Sequence, residues 1–391
     1  MHLTKEEERI YEGEEGWARK KAMEILVAIG DINNASQLIS IKSAHISGAS
    51  YKTIGDAFEF INHLGGTVKV KVKSTLNPTG MDIEKGDTMN ISEKFVTKQK
   101  DVINAYKKLG VSVECTCIPY LIGNTPKRGE HIAWAESSAV LYANSVLGAR
   151  TNMEGAPSAL AAALLGRTPS YGLHHAENRE PEMRVCVNCA LTDADYSALG
   201  FLIGDLVGNK IPVIELPSAS FPSIDELKHL SAAIGATGSV GLYHIEGITP
   251  EADAIGLPAE RAEIEKDDLK RFFAENEKCD VIAIGCPHCS ASELQQIYKL
   301  LRAESGGRKV RKDFFIFTAR AIKERMQDVV RKIEDYGVKV ICDTCFVVSP
   351  AFEHYKCVVT NSGKMLRYVP LLCGGADVQL CKTEECVRLA F

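Results

Sequence analysis

The stretch Asp280-Val281-Ile282-Ala283-Ile284-Gly285-Cys286-Pro287-His288 decides how this chain is read. Residues 280–285 are a short apolar run rich in β-branched side chains and closed by Gly and Pro, the signature of a buried strand ending at Cys286. The pattern repeats outward from it. Ser292–Arg302 carries Leu294, Ile297, Leu300 and Leu301 at helical spacing, followed by a strand at Phe314–Thr318 and a helix near Ala321–Tyr336. Further strands are expected at Val338–Cys342 and Cys357–Thr360. Strands separated by helices of that length imply right-handed crossovers and a largely parallel sheet.

A similar alternation is expected at Pro212–Leu216, Ile224–Ile234 and Ser239–His244. The first half is less regular. Strands are predicted at Gln37–His45, Thr67–Lys73 and Val111–Cys117, and helices at Thr53–Leu64, Glu93–Leu109 and His131–Leu147. The class is α/β with more than one sheet. The charge run Glu260–Lys278 reads as a solvated helix face and a seam before a last domain. The expected division is 1–200, 201–275 and 276–391.

Composition narrows the functions. The chain has 391 residues, 45% hydrophobic and 25% charged, which excludes a disordered, collagenous or fibrous protein. With 46 Lys plus Arg against 51 Asp plus Glu, no basic excess exists to neutralise a nucleic-acid backbone. The N-terminus is charged from the outset without an apolar signal core, and no run reaches the ~18–20 apolar residues of a spanning helix. A cytoplasmic protein, bound neither to membrane nor to nucleic acid, is expected.

Thirteen cysteines, an odd number, argue for metal, cluster or catalytic use over a disulfide framework. In open α/β sheets, ligands bind beyond the carboxyl ends of strands. Cys117, Cys286 and Cys345 each stand at such an exit. Three thiolates can hold an iron–sulfur cluster with one iron open as a Lewis acid. The pairs Cys186/Cys189, Cys286/Cys289 and Cys342/Cys345 are also C-x-x-C, so structural zinc remains an alternative, as do inert buried thiols. Strand spacing of three points the two sulfurs of a pair to opposite faces.

Several polar loops suit an anion. His45–Thr53 brings Ser50 and Lys52 to a helix start, although Ser50 or Thr53 would also serve as an ordinary cap. Asn77-Pro78-Thr79-Gly80-Met81-Asp82 reads as a turn. Glu136, Ser137 and Asn152 stand on a helix with small residues and on its exit, a pattern that suits a site and tight packing equally. Asn361-Ser362-Gly363-Lys364 follows a strand without being a Walker A loop, and Gly235, Gly238 and Gly241 do not form a dinucleotide fingerprint.

At these residues the chain resembles the aconitase X family. The matching motifs are residues 47–56 (SGASYKTIGD), Thr75-Leu76-Asn77-Pro78 and Cys117-Ile118-Pro119-Tyr120. Further matches are most of Gly129–Asn152, Gly285-Cys286-Pro287-His288, Asp343-Thr344-Cys345 and Asn361-Ser362-Gly363-Lys364. The resemblance implies about three α/β domains around a central site, with Cys117, Cys286 and Cys345 binding an iron–sulfur cluster. That cluster is expected as 4Fe-4S, or 3Fe-4S once the labile iron is lost. It implies a hydro-lyase, with Ser50, Lys52, Asn77, Glu136, Ser137, Asn152 and Lys364 as candidate substrate contacts.

One branch of the family is single-chain and dehydrates cis-3-hydroxy-L-proline. The other, mainly archaeal, is two-chain and dehydrates mevalonate 5-phosphate to trans-anhydromevalonate 5-phosphate in isoprenoid biosynthesis. The matches fill essentially all of this chain, with no swivel-like addition at either end. The expectation is therefore a large subunit of the two-chain branch, forming a heterodimer with a small swivel subunit that carries the proton-abstracting group. Hydroxyproline dehydration is the runner-up. A non-catalytic metal- or RNA-binding regulator is a remote third, disfavoured by the acidic net charge.

Overall fold

Short β-branched runs alternating with amphipathic helices build three parallel sheets in succession. The computed structural model describes every residue except 67, 219, 253–255, 257 and 274–278. In the first region, β1 (Leu38–Ser40), β2 (Ser43–Ile46), β3 (Lys73–Leu76), β4 (Ser112–Cys115), β5 (Ala133–Trp134) and β6 (Arg167–Pro169) appear in turn. Four of these form a parallel sheet in the order β4-β3-β2-β5, while β1 and β6 pair antiparallel at its side. Helices Glu93–Lys108 and Ala156–Leu165 pack on this sheet, and Trp17–Ile32 packs against Ala156–Leu165 and β6.

The second region holds β7 (Met183–Val187), β8 (Pro212–Glu215), β9 (His244–Ile245) and β10 (Arg261–Ile264), parallel in the order β10-β7-β8-β9. The third holds β11 (Val281–Cys289), β12 (Asp313–Thr318), β13 (Lys339–Cys342), β14 (Cys357–Thr360) and β15 (Asp377–Leu380). These are parallel in the order β13-β12-β11-β14-β15. That order reverses direction between β11 and β14. In a doubly wound sheet this switch point is where the loops part and leave a crevice for ligand. Both faces of the third sheet are covered. Ile282, Ile284 and Ile316 point into one core, and Val281, Ala283, Phe315 and Phe317 into another.

Several sequence expectations change: the strand expected over Gln37–His45 is two, β1 and β2, in different sheets, and the one expected over Ser239–His244 is only β9. His131–Leu147 is not one helix. Ala133 and Trp134 form β5 against Ala44 and His45, and a helix begins only at Ser137, continuing as a π-helical turn at Tyr142–Val146. Burial of the large Trp134 ring beside His45 holds that pair in the sheet. The charge run contains an edge strand, β10, before the short helix Lys266–Lys270, and its last residues, 274–278, lie outside the described residues. The strand placed at Thr67–Lys73 begins on an undescribed residue and is found later, as β3.

Candidate active site

Carboxyl ends of the first and third sheets face each other across a cavity of about 250 Å³. Asn77 enters it from the exit of β3, Cys117 from β4, and Glu136 with Ser137 from β5. From the third sheet come Cys286 on β11, Lys364 after β14 on the other side of the switch in strand order, and Cys345 beyond the edge strand β13. Pro78, Val347, Val348, Tyr368 and Leu372 complete much of the wall.

Local backbone chemistry places each thiol. Gly285 has φ 108°, and a Cβ there would stand 2.2 Å from the Phe317 carbonyl oxygen, so only Gly fits. The β11–β12 register shifts between Ile284 and Cys289, and Cys286 turns toward the cavity while Cys289 stays in the core. Past β13 the chain turns on Asp343, a non-glycine residue at φ 62°, before presenting Cys345. Thr116 N–H donates to the Leu76 carbonyl at 2.9 Å, prolonging β4 to the residue before Cys117.

Charge in the cavity is concentrated in one buried pair, Glu136 and Lys364. Glu136 also accepts from Asn77 Nδ2 at 2.7 Å and Ser138 Oγ at 3.0 Å. Burial alone would raise the Glu136 carboxyl, but Lys364 and these donors outweigh it and bring it down to about 2. Burial alone would likewise lower the Lys364 ammonium, and Glu136 instead holds it above its ordinary value. Burial, reinforced by Glu136 and Cys286, pushes the Cys117 thiol up to about 12. Burial also raises Cys286 and Cys345, the latter with help from the other two sulfurs. The three sulfurs therefore share one electrostatic environment. A metal centre entering it must displace protons.

Models for the first, second and third domains of aconitase X match residues 1–177, 162–274 and 279–391. The chain is 50% identical to the phosphomevalonate dehydratase large subunit of Methanosarcina mazei, over 100% of this chain and 97% of that one. The chain belongs to the aconitase X family. Thermococcus kodakaraensis aconitase X, solved in its holo-form, superposes with a TM-score of 0.92 at 45% identity, covering 100% of both chains. Cis-3-hydroxy-L-proline dehydratase of Hypocrea jecorina is more distant, at 33% identity over 96% of this chain and 66% of that one.

Within this aconitase X chain the structure brings seven of the ten predicted site residues to the cavity: Cys117, Cys286, Cys345, Asn77, Glu136, Ser137 and Lys364. Three stand outside its lining. The Lys52 ammonium is taken up by the carbonyls of Val347 at 3.0 Å and Leu372 at 2.7 Å and by Glu353 at 2.8 Å, a strut behind the cavity wall. Ser50 Oγ donates to the Val348 carbonyl at 2.7 Å. Asn152 braces the turn at Tyr171–Leu173. Tyr368 lines the cavity without having been singled out. Its signal was present, because it lies one helical turn after Lys364 on the helix Gly363–Leu372, with the ammonium 5.5 Å from its ring centre.

The donor set fits a cluster. Among the described residues no three His, Cys, Asp or Glu side chains gather as a site for a single metal ion. The three thiols instead stand around the wall of one cavity, where a group with dimensions of its own would meet them. No helix among the described residues is long and apolar enough to cross a membrane.

Proposed function

We propose that this chain is the large subunit of a phosphomevalonate dehydratase. It would remove water from (R)-5-phosphomevalonate to give trans-anhydromevalonate 5-phosphate, with Cys117, Cys286 and Cys345 holding an iron–sulfur cluster. The observation that carries the reading is the convergence of these three thiols, from three separate strand exits, on the cavity that also holds Glu136 and Lys364. The identity to dehydratase large subunits over the whole chain supports the substrate and the need for a small subunit.

When bound, such a cluster supplies Lewis acidity toward the leaving hydroxyl. The chain's own residues supply charge and orientation. Lys364 is the cation offered to an anionic substrate, and Asn77, Ser137 and Tyr368 offer polar groups around it. Val347, Val348 and Leu372 give the substrate's carbon chain an apolar surface and reduce water near the reacting carbons. Glu136 is ionised and paired, so it is a weak base until substrate draws Lys364 away. An anion seated against Lys364 weakens that pair and raises the proton affinity of Glu136. A base takes the α-proton, the C–H electron pair becomes the new double bond as the C–O bond breaks, and the departing hydroxide takes up a proton, so that one water is lost overall. We place that base on the small subunit.

The test is anaerobic assembly with iron and sulfide, followed by turnover of mevalonate 5-phosphate with and without the small subunit. A cluster on this chain and turnover only in the complex is the expected result. Turnover of cis-3-hydroxy-L-proline instead would reassign the substrate. Tight zinc with no iron would overturn the ligand assignment.

A further inference from the structure

We propose that His288 is a positioning residue that sets the spacing of the three cysteine-bearing strand exits. The proposal rests on the reading that Cys117, Cys286 and Cys345 hold one group. His288 follows Cys286 by two positions and is fully buried. Its Nε2 lies 2.8 Å from the carbonyl oxygen of Thr344, the residue before Cys345. Its Nδ1 lies 2.9 Å from Oγ1 of Thr116, the residue before Cys117. Its backbone N–H donates to the Cys117 sulfur itself at 3.2 Å. One imidazole thus touches the neighbours of two cysteines while its own chain carries the third.

The roles of the atoms follow from their chemistry. A carbonyl oxygen only accepts, so Nε2 carries the hydrogen. Nδ1 of the neutral ring is then an acceptor, and the Thr116 hydroxyl donates to it. The same Thr116 oxygen accepts the Ile118 N–H at 3.2 Å, which leaves its own hydrogen free for Nδ1. The ring is a rigid spacer between two loops far apart in sequence. From behind, Lys228 Nζ donates to the His288 carbonyl at 3.0 Å and fixes the segment against the helix Ile224–Thr237. A partner that orients a metal ligand from outside its coordination shell typically governs affinity by ~10–100-fold.

Two substitutions separate the arms of this spacer. His288→Asn keeps an oxygen near the Nδ1 position for Thr116 and loses the donor to Thr344. His288→Gln keeps an amide donor within reach of Thr344 and loses the acceptor for Thr116. Thr116→Val removes one arm with little change in shape. Alkylation of each cysteine in the cluster-free full chain, mapped by peptide mass, is read alongside iron affinity in competition with a chelator.

Faster alkylation of Cys345 in His288→Asn, and of Cys117 in His288→Gln and Thr116→Val, is the expected result. Iron affinity should fall by ~10–100-fold in each. Wild-type alkylation rates at all three cysteines in every variant would overturn the proposal. So would an equal acceleration at Cys186 and Cys381, which would mean general loosening. No iron uptake by the wild-type chain, together with split labelling among the variants, would overturn the cluster reading and uphold the role of His288.

Discussion

Cys286 and Cys289 lie three residues apart on one strand, yet one faces the cavity and the other the core. That alternation follows from strand geometry and was legible before any coordinates, as was the choice of Cys117 and Cys345 from their places beyond strand ends. Replacing Cys117, Cys286 or Cys345 by Ala should abolish iron binding and turnover together, measured by iron content and steady-state assay. Cys186→Ala and Cys381→Ala should leave both near wild type. The ion pair yields a second residue-level prediction. Lys364→Met leaves Glu136 buried and unpaired and should cost about 3–5 kcal/mol of stability. Glu136→Gln combined with Lys364→Met should recover much of that loss in urea unfolding while activity stays absent. Lys52 shows the limit of reading charge from sequence. A lysine after a strand looks like an anion ligand, but nothing in its neighbourhood along the chain reveals that Val347, Leu372 and Glu353 will engage it.

At the scale of elements, the site is held by a clasp between the loop after β3 and the turn after β13. Each side lends the other a carboxylate. Asp82 accepts the N–H of Cys342 at 3.2 Å, and Asp343 accepts the N–H of Ile83 at 3.2 Å. The Thr79 N–H donates to the Asp343 carbonyl at 2.6 Å. Arg320 lies between, donating to Asp82 at 2.8 Å, to Glu84 at 2.6 Å and to Asp343. Both aspartates are buried, and Arg320 is the cation that faces the two of them, while burial still pushes the Asp343 carboxyl up to about 6. Arg320→Met should therefore cost about 3–5 kcal/mol in urea unfolding. Amide hydrogen exchange should speed up in 79–84 and 342–345 together, ahead of the rest of the third sheet. Local patterning carries no trace of such a clasp, because its two sides are more than 200 residues apart. The misplaced helix at His131–Leu147 has the same origin. Ala133 and Trp134 are apolar in either state, and only pairing with Ala44 and His45 makes them a strand.

For the molecule as a whole, most of the third sheet could be read from alternating patterns, although strands β5, β6, β7, β10 and β15 were not expected. How the regions dock could not, since docking depends on side chains that look like ordinary surface charge. Lys228 is the clearest case. On the helix Ile224–Thr237 it is fully buried, pairs with Glu293 of the helix Ala291–Glu304, and so joins the second region to the third. Burial alone would raise the Glu293 carboxyl, but Lys228 and His229 together hold it down at about 2, against an ordinary value of 4.5. A carboxyl whose folded value is depressed contributes stability that is complete above its unfolded value and disappears as pH falls through the folded one. The contribution from Glu293, on the order of 3 kcal/mol, should therefore be present at pH 6 and lost between about pH 4.5 and 2. Urea unfolding of the cluster-free chain across that range, compared with Glu293→Gln, provides the check. The variant should be markedly less stable than wild type at pH 6, and the gap should narrow steadily as the pH approaches 2. A gap that stays constant across that window would mean that the pair does not hold the two regions together through charge.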